Sequence, residues 1–167
     1  MPFVYTVAGP AIATPFVSSA TPNTENDCIF VKPGVRNISV LAMRVGGKAS
    51  ALTSLSAIAY RLKKWFTTSS AIGTGTAITA APSDPGAQAA KMTAAGSQAT
   101  VSLLTSGTGG PTYQMGCTSG AAGPGACTAV TPDAAKTLEG AANQSMDVFV
   151  SSPTASMNYE VEVDVQE

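Results

Sequence analysis

The sequence contains no histidine and few charged side chains. Charged residues make up 11% of the 167-residue chain, against roughly 25% in an average soluble domain. Without histidine, a Ser-His-Asp triad, a Cys-His pair and an imidazole metal site cannot form. A long charged helix or coiled coil would need far more Glu, Lys and Arg. These absences exclude the commonest catalytic and metal-binding arrangements.

The chain also lacks an excess of either charge. Nine Lys and Arg residues face ten Asp and Glu residues, which leaves a formal net charge of −1. A nucleic-acid-binding surface needs a basic excess, so we expect no nucleic-acid partner. A net charge near zero weakens repulsion between copies and favours association.

Long hydrophobic runs are missing as well. No stretch approaches the roughly 20 apolar residues of a membrane span, so we expect no membrane partner. The first residues, MPFVY, have neither a basic segment nor a hydrophobic one. They predict no secretory signal, and synthesis in a cytoplasm is expected.

Three cysteines are too few for a disulfide scaffold. Cys117 and Cys127 lie ten residues apart in a Gly-rich stretch. A bridge between them would stabilise the fold by about 3 kcal/mol, whereas a reducing cytoplasm would keep both thiols free. A zinc site would need a fourth ligand that the sequence does not offer, and we expect no metal or cofactor.

Motifs for nucleotide binding and acyl transfer are also absent, since neither a Walker A sequence nor a GxSxG elbow occurs. Glu160, Glu162 and Asp164 alternate along one predicted strand, where paired carboxylates could serve hydrolysis or hold calcium. Acidic alternation is more typical of a protected edge strand. The sequence therefore predicts a protein that is not an enzyme.

Small residues and short alternating segments are what the chain does contain. Ala, Thr, Ser and Gly make up nearly half of it. Residues 157–165 alternate apolar and acidic side chains, which predicts a half-buried strand. Residues 56–66 predict a second strand, although the leucine spacing there also fits a helix. Further candidate strands are residues 3–8, 28–32, 35–44, 77–79, 99–104 and 145–150.

Glycine and proline separate these segments, with Pro33-Gly34 as a turn and Gly46-Gly47 as the end of a strand. Many short strands with such breaks predict an all-β, single-domain antiparallel β-sandwich. Residues 87–95 are Ala-rich, and one or two helical turns are an alternative there.

The predicted sandwich domain spans residues 27–167. Two segments are predicted to form no strand of it: an arm before the domain and a long loop within it. Residues 1–26 are rich in Thr, Pro, Ser and Ala and predict an extended N-terminal arm. Residues 105–137 hold seven Gly and three Pro, which predicts a long loop that is either mobile or ordered by another subunit. Tyr113 and Met115 are candidate anchors for that contact.

A basic and aromatic cluster at Arg61, Lys63 and Trp65 is the other candidate contact surface. Stacking or phosphate binding is one reading of this cluster. A strand with one buried and one solvated face is the simpler reading, and docking on an acidic neighbouring subunit is a third.

A resemblance extends over residues 61–90 and the end of the chain. Residues 67–79 (TTSSAIGTGTAIT), 82–85 (PSDP) and 87–90 (AQAA) resemble a segment of small tailed-bacteriophage virion proteins. In that group a strand leads through a Thr/Ser/Gly turn into a second strand, then into Pro-x-Asp-Pro and an Ala-rich stretch. The ending 163–167 (VDVQE) is similar to the closing strand of the same proteins.

The resemblance implies a jelly-roll or related β-sandwich that sits on or near a capsid. It implies a decoration or cement protein that binds the major capsid protein on the virion, without catalysis. A homo-oligomer, by analogy a trimer, is expected. Other virion components (capsid, tail tube, tail terminator or fibre protein) and a carbohydrate-binding adhesin remain alternatives.

Overall fold

A computed structural model describes residues 2–9, 16–17, 24–48, 56–68, 76–96, 107–119, 126–130, 136–151 and 158–167. No helix in this part of the chain is long and apolar enough to cross a membrane. The strands are β1 (Val4–Gly9), β2 (Phe16–Val17), β3 (Asn26–Lys32), β4 (Ile38–Lys48), β5 (Ser56–Thr68), β6 (Thr76–Ile78), β7 (Ala81–Pro82), β8 (Thr93–Gly96), β9 (Gly107–Ser119), β10 (Ala126–Val130), β11 (Thr137–Leu138), β12 (Ser145–Ser151) and β13 (Asn158–Gln166).

These strands form two antiparallel sheets. Sheet A has the order β10-β4-β13-β1-β7, with β11 paired to β4 and β2 paired to β13. Sheet B has the order β6-β8-β3-β12-β5-β9. Apolar residues of both sheets belong to one buried cluster, so the sheets pack face to face. The prediction of an all-β sandwich is confirmed.

The connectivity of the longer strands is that of a jelly roll. In the described part of the chain, eight strands have five or more residues, and in chain order they are β1, β3, β4, β5, β9, β10, β12 and β13. Numbered one to eight, they lie in the order 1-8-3-6 in sheet A and 2-7-4-5 in sheet B. A jelly roll is such a pair of four-stranded sheets built from two Greek keys. The short strands β6, β7 and β8 extend both sheets beyond β1 and β3.

Alternating side chains build the core between the sheets. In β13, Tyr159, Val161, Val163 and Val165 are all fully buried, while the acidic residues between them are half-buried. The strand predicted at residues 157–165 is therefore confirmed. Burying one Val, Ile or Leu side chain contributes roughly 1.5–3 kcal/mol. The core residues are Tyr5, Val7, Cys28, Ile29, Val31, Ile38, Val40, Met43, Val45, Leu62, Met92, Ala94, Leu138, Met146, Val148, Val150, Tyr159, Val161, Val163 and Val165.

The long loop predicted at residues 105–137 is wrong for most of that segment. Gly107–Ser119 forms β9 on β5, and Ala126–Val130 forms β10 on β4. These strands lack the large alternating apolar residues that mark a strand in sequence. They form because they pair with strands that are distant in sequence, and the intrinsic strand propensity of their residues does not predict that pairing.

The predicted N-terminal arm at residues 1–26 is wrong for those of its residues that the structure places in strands. Its residues 4–9 form β1, which lies inside sheet A between β13 and β7. Tyr5 and Val7 are in the core. The sandwich therefore begins with β1 and not at residue 27, because the backbone of β1 pairs along six positions of β13.

Two smaller predictions also change, and a third is not tested. β4 continues through Gly46-Gly47 to Lys48, because both glycines pair with β13. Ala94 and Ala95 lie in β8 and not in a helical turn, since β8 pairs with β3. The strand predicted at residues 99–104 lies outside the described residues.

Loops meet closely at one end of the sandwich. The Pro33-Gly34 turn carries the chain from β3 in sheet B to β4 in sheet A. A Cβ on Gly34 would lie 2.7 Å from the Lys91 carbonyl oxygen, and one on Gly140 would lie 2.5 Å from the Gly34 carbonyl oxygen. Only glycine permits this approach of three backbone segments.

Candidate functional site

A buried carboxyl group lies on the outer face of sheet B, the face turned away from the core. Met146 and Val148 of β12 point into the core, so Asp147 between them points outward. Asp147 pairs with Phe30 of β3 on one side and with Lys63 of β5 on the other. The exposed fraction of Asp147 is 0%, so this acid is shielded from water.

Trp65 and Lys63 surround this carboxyl group. The Trp65 indole Nε1–H donates a hydrogen bond of 2.6 Å to Asp147 Oδ2. The Lys63 ammonium lies 3.8 Å from the centre of the Trp65 ring, which is a cation–π contact. The indole is thus held between a cation at its face and a carboxyl group at its edge.

A second acid, Asp27, lies one strand away. Asp27 pairs with Phe149, two residues from Asp147 on β12, and only 2% of it is exposed. Burial first, and then the charge of Asp27, raise the pKa of Asp147 from its ordinary value of 3.8 to about 8. The hydrogen bond from Trp65 and the charge of Lys63 act in the opposite direction. Because burial dominates, Asp147 keeps its proton near neutral pH.

The cluster of Asp147, Asp27, Lys63 and Trp65 is a structural feature more than a reaction centre. Both acids are shielded from solvent, so a substrate has no access to them. The sequence marked Lys63 and Trp65 but not the acids. Sequence reasoning expects an acid such as Asp147 at the surface, because charged residues are almost never fully buried unless they are paired. No local signal in the sequence marks it as an exception.

The core contains a small polar network around Tyr159. The Cys28 thiol donates to the Asn26 carbonyl oxygen at 3.2 Å and lies 3.0 Å from the Tyr159 hydroxyl. Burial raises the pKa of Cys28 to about 12, and burial also raises the pKa of Tyr159. Since the thiolate is the reactive form, Cys28 is not a nucleophile.

The acidic residues of β13 are partnered within the chain. Arg44 of β4 forms ion pairs with Glu162 and Asp164, and Thr6 of β1 donates a hydrogen bond of 2.9 Å to Asp164. The strand lies between β1 and β4. The reading of this row as edge protection is therefore wrong, because β13 is not an edge strand.

Lys64 has a different environment from its neighbour Lys63. It is 8% exposed, and its Nζ donates a hydrogen bond of 2.8 Å to the Thr137 carbonyl oxygen. Lys64 thus ties β5 of sheet B to β11 of sheet A. The basic side chains of this segment therefore do not form a single surface.

An open cleft lies at the loop end of the sandwich. It has a volume of about 270 Å³ and is lined by Phe3, Tyr5, Arg36, Gln88, Ala89, Lys91 and Glu167. Within the described residues, the side chains of Arg36 and Lys91 have neither an ion pair nor a hydrogen bond. Val35 beside them is 95% exposed. Two cations without a side-chain partner among the described residues thus line the cleft together with Glu167, and the exposed Val35 precedes Arg36 in the chain.

The candidate contact residues lie on two neighbouring strands. Arg61, Lys63 and Trp65 belong to β5, while Tyr113 and Met115 belong to β9 beside it. Tyr113 pairs with Leu62, and Met115 pairs with Tyr60. These register positions alternate with those of the three β5 candidates. The side chains of Arg61, Tyr113 and Met115 are outside the described part, so their role in a contact stays a prediction.

The two cysteines of the predicted bridge belong to different sheets. Cys117 pairs with Ile58 in sheet B, and Cys127 pairs with Val45 in sheet A. Their side chains also lie outside the described part, and the disulfide stays a prediction. Among the residues that are described, no group of three or more acids or cysteines could hold a metal ion.

Comparison with known proteins gives distant structural neighbours only. No family model and no curated protein matches the sequence. The structure of the Gx strain of infectious bursal disease virus matches with 14% identity and a TM-score of 0.26, over 99% of this chain and 41% of that one. The VP2 subviral particle of the same virus matches with 13% identity and a TM-score of 0.22, over 99% and 41%.

Broad bean stain virus matches with 9% identity and a TM-score of 0.22, over 98% of this chain and 83% of that one. All three are structures of viruses or virus-derived particles. The chain spans about 41% of the length of the infectious bursal disease virus chains. TM-scores this low mean that the backbones do not superpose closely, and the likeness carries no functional conclusion.

Proposed function

We propose that the protein is a virion structural protein that decorates a phage capsid and binds its major capsid protein, without catalysis. The jelly-roll strand order carries this proposal, because that architecture occurs in viral capsid proteins and in lectin domains. A fold alone does not determine function. The phage-like pattern of residues 61–90 favours the virion role over the lectin role.

The segment with that pattern is part of the sandwich itself. It contains the end of β5, then β6 in sheet B and β7 in sheet A. In the phage proteins one strand is followed by a second strand and then by Pro-x-Asp-Pro, and the described elements β5, β6 and β7 come in the same order. This agreement between pattern and strand order supports the proposal beyond composition.

Docking would use the loop end of the sandwich. Val35 supplies an exposed apolar contact, and Arg36 and Lys91 supply unpaired cations beside it. Such a surface fits an acidic surface with an apolar centre, since complementary charges steer association and the apolar contact supplies affinity.

The copy number in purified particles tests the proposal. Mass spectrometry of particles should find the protein at a level comparable to the major capsid protein. A few copies per particle would indicate a tail or neck component instead. Absence from particles would reject both virion roles, and binding to a glycan array would then favour the adhesin.

A capsid-binding assay tests the docking surface. The wild-type protein should sediment with preformed capsids, and the double variant Val35→Asp/Arg36→Glu should remain in the supernatant. Thr79→Glu, also at an exposed position, is the matched control and should bind normally. Self-assembly of the wild-type protein into shells or tubes without capsids would favour a capsid or tail-tube protein.

A further inference from the structure

The two sides of the sandwich end in very different edge strands. On one side, sheet B ends in β6 with three residues and sheet A ends in β7 with two. On the other side, the sheets end in β9 with 13 residues and β10 with five. We call this second side the long edge. Within the described residues, β9 pairs only with β5.

The long edge carries no charge. No Asp, Glu, Lys or Arg occurs between Lys91 and Asp133, a stretch that contains both β9 and β10. Natural proteins protect edge strands by keeping them short or by placing charges, prolines or bulges on them. The opposite side follows this rule, with very short strands and Pro82 in β7. In β9 of the long edge, the features that follow this rule are Pro111 and the register shifts around Gly109, both at the start of the strand.

Pro111 limits where a further strand could pair. From Thr112 to Ser119, β9 pairs with β5 without interruption, whereas the register shifts around Gly109. A proline has no N–H to donate to a ladder. The segment 112–119 is therefore an uninterrupted, uncharged strand whose second backbone edge pairs with no other strand in the described part of the chain.

We propose that β9 of one copy pairs with β9 of a second copy, antiparallel across a two-fold axis through the segment 112–119. The six-stranded sheet B of one copy and that of the other would then become one continuous sheet. Two identical edges can meet in this way because an antiparallel two-fold contact is self-complementary. An uncharged strand brings no like charges into opposition when it pairs with its own copy.

A head-to-tail arrangement is disfavoured by the same geometry. It would require β9 to pair with the opposite side of another copy, where β6 and β7 offer only three and two residues. The two-fold pair closes on itself and leaves no long free edge in sheet B. This pairing does not depend on a role in a virion, and it differs from the trimer that the phage resemblance implies.

The mass of the purified protein tests the pairing. Light scattering after size exclusion should give twice the 16.7 kDa of one chain. The double variant Thr112→Glu/Gln114→Glu places carboxylates opposite Lys63 and Arg61 of β5 in the same chain, so the monomer keeps favourable cross-strand pairs. In the dimer the two copies bring four carboxylates onto the same face of the paired strands, where the carboxylates at position 114 of the two copies are diagonal neighbours, and the dissociation constant should rise about tenfold or more at low salt.

Ala77→Glu on β6, at an exposed position of the opposite edge, is the matched control and should leave the dimer intact. Circular dichroism establishes that each variant is folded. A wild-type monomer, a trimer, or a double variant that dimerises as tightly as the wild type would overturn the pairing.

Hydrogen exchange gives a second readout that needs no variant. Amide protons of residues 112–119 that point away from β5 should be protected at high protein concentration and exchange faster on dilution. A dimer whose β9 amides exchange at the same rate at every concentration would place the contact elsewhere and contradict the proposal.

Discussion

At the scale of single residues, the buried acid Asp147 has a direct consequence for stability. It is fully buried, and it is held by one hydrogen bond from Trp65 beside the second acid Asp27. Its burial is compatible with folding because the carboxyl group stays protonated, which avoids the cost of an isolated buried charge. The same device makes the stability of the protein depend on pH.

Stability should fall as pH rises from about 4 to about 8. The unfolded chain releases the Asp147 proton near the ordinary pKa of 3.8, whereas the folded chain keeps it up to about 8. Between these values the folded state binds more protons, so the free energy of unfolding decreases by at most about 1.4 kcal/mol per pH unit. Urea unfolding at several pH values measures the slope.

Asp147→Asn removes this dependence, because an amide has no proton to release there and its oxygen can still accept from Trp65. The variant should be more stable than the wild type at pH 8 and about equally stable at pH 4. Glu139→Gln, at an exposed position, is the control and should keep the wild-type slope. An Asp147→Asn variant with an unchanged slope would show that Asp147 ionises normally.

At the scale of elements, the loops at the end of the sandwich depend on close backbone contacts. Gly140 follows β11 and packs against the Gly34 and Val35 backbone of the β3–β4 connection. Its N–H also donates a hydrogen bond of 3.1 Å to Asn37 Oδ1. The connection that crosses between the sheets is thus fixed by backbone shape and not by large side chains.

Gly140→Ala should destabilise the protein by about 1–3 kcal/mol, because the new methyl group would overlap backbone atoms that cannot move independently. Gly86→Ala is the matched control, since a Cβ there meets only Asp84 Oδ1 at an ordinary 3.5 Å. Thermal melts of both variants measure the difference. Equal stability of Gly140→Ala and the wild type would mean that the loops separate easily.

At the scale of the whole molecule, one core joins the two sheets. Side chains from β1, β4 and β13 of sheet A and from β3, β5 and β12 of sheet B belong to the same cluster. Most of the strands that pair within each sheet are distant in sequence, as β1 and β13 are. The apolar face of each sheet would therefore be exposed to water if the other sheet unfolded.

Unfolding should accordingly be a single cooperative transition. The only tryptophan, Trp65, lies in sheet B, whereas far-ultraviolet circular dichroism reports the strands of both sheets. Tryptophan fluorescence and far-ultraviolet circular dichroism should give the same midpoint at one protein concentration. Separate midpoints would indicate that the sheets unfold independently.

Much of the fold can be read from the sequence where large apolar residues alternate with polar ones. The period of two at the C-terminus predicts β13 nearly to the residue, and β5 and β12 follow from similar patterns. β9 and β10 cannot be read in this way, because Gly, Thr and Ser give the same pattern in a loop as in a strand. The partners that order them, β5 and β4, are remote in sequence.

The sequence by itself determined the class of the protein: all-β, with few charged residues and a net charge near zero, without histidine, and built from short strands of small residues. It also marked Lys63 and Trp65 as part of a distinctive cluster. Only the tertiary structure decided that Asp147 joins that cluster, that β13 is a central strand, and that the longest uncharged strand lies at an edge. The physical reason is that burial, ionisation and edge position depend on which strands lie side by side, and a sequence pattern describes one strand at a time.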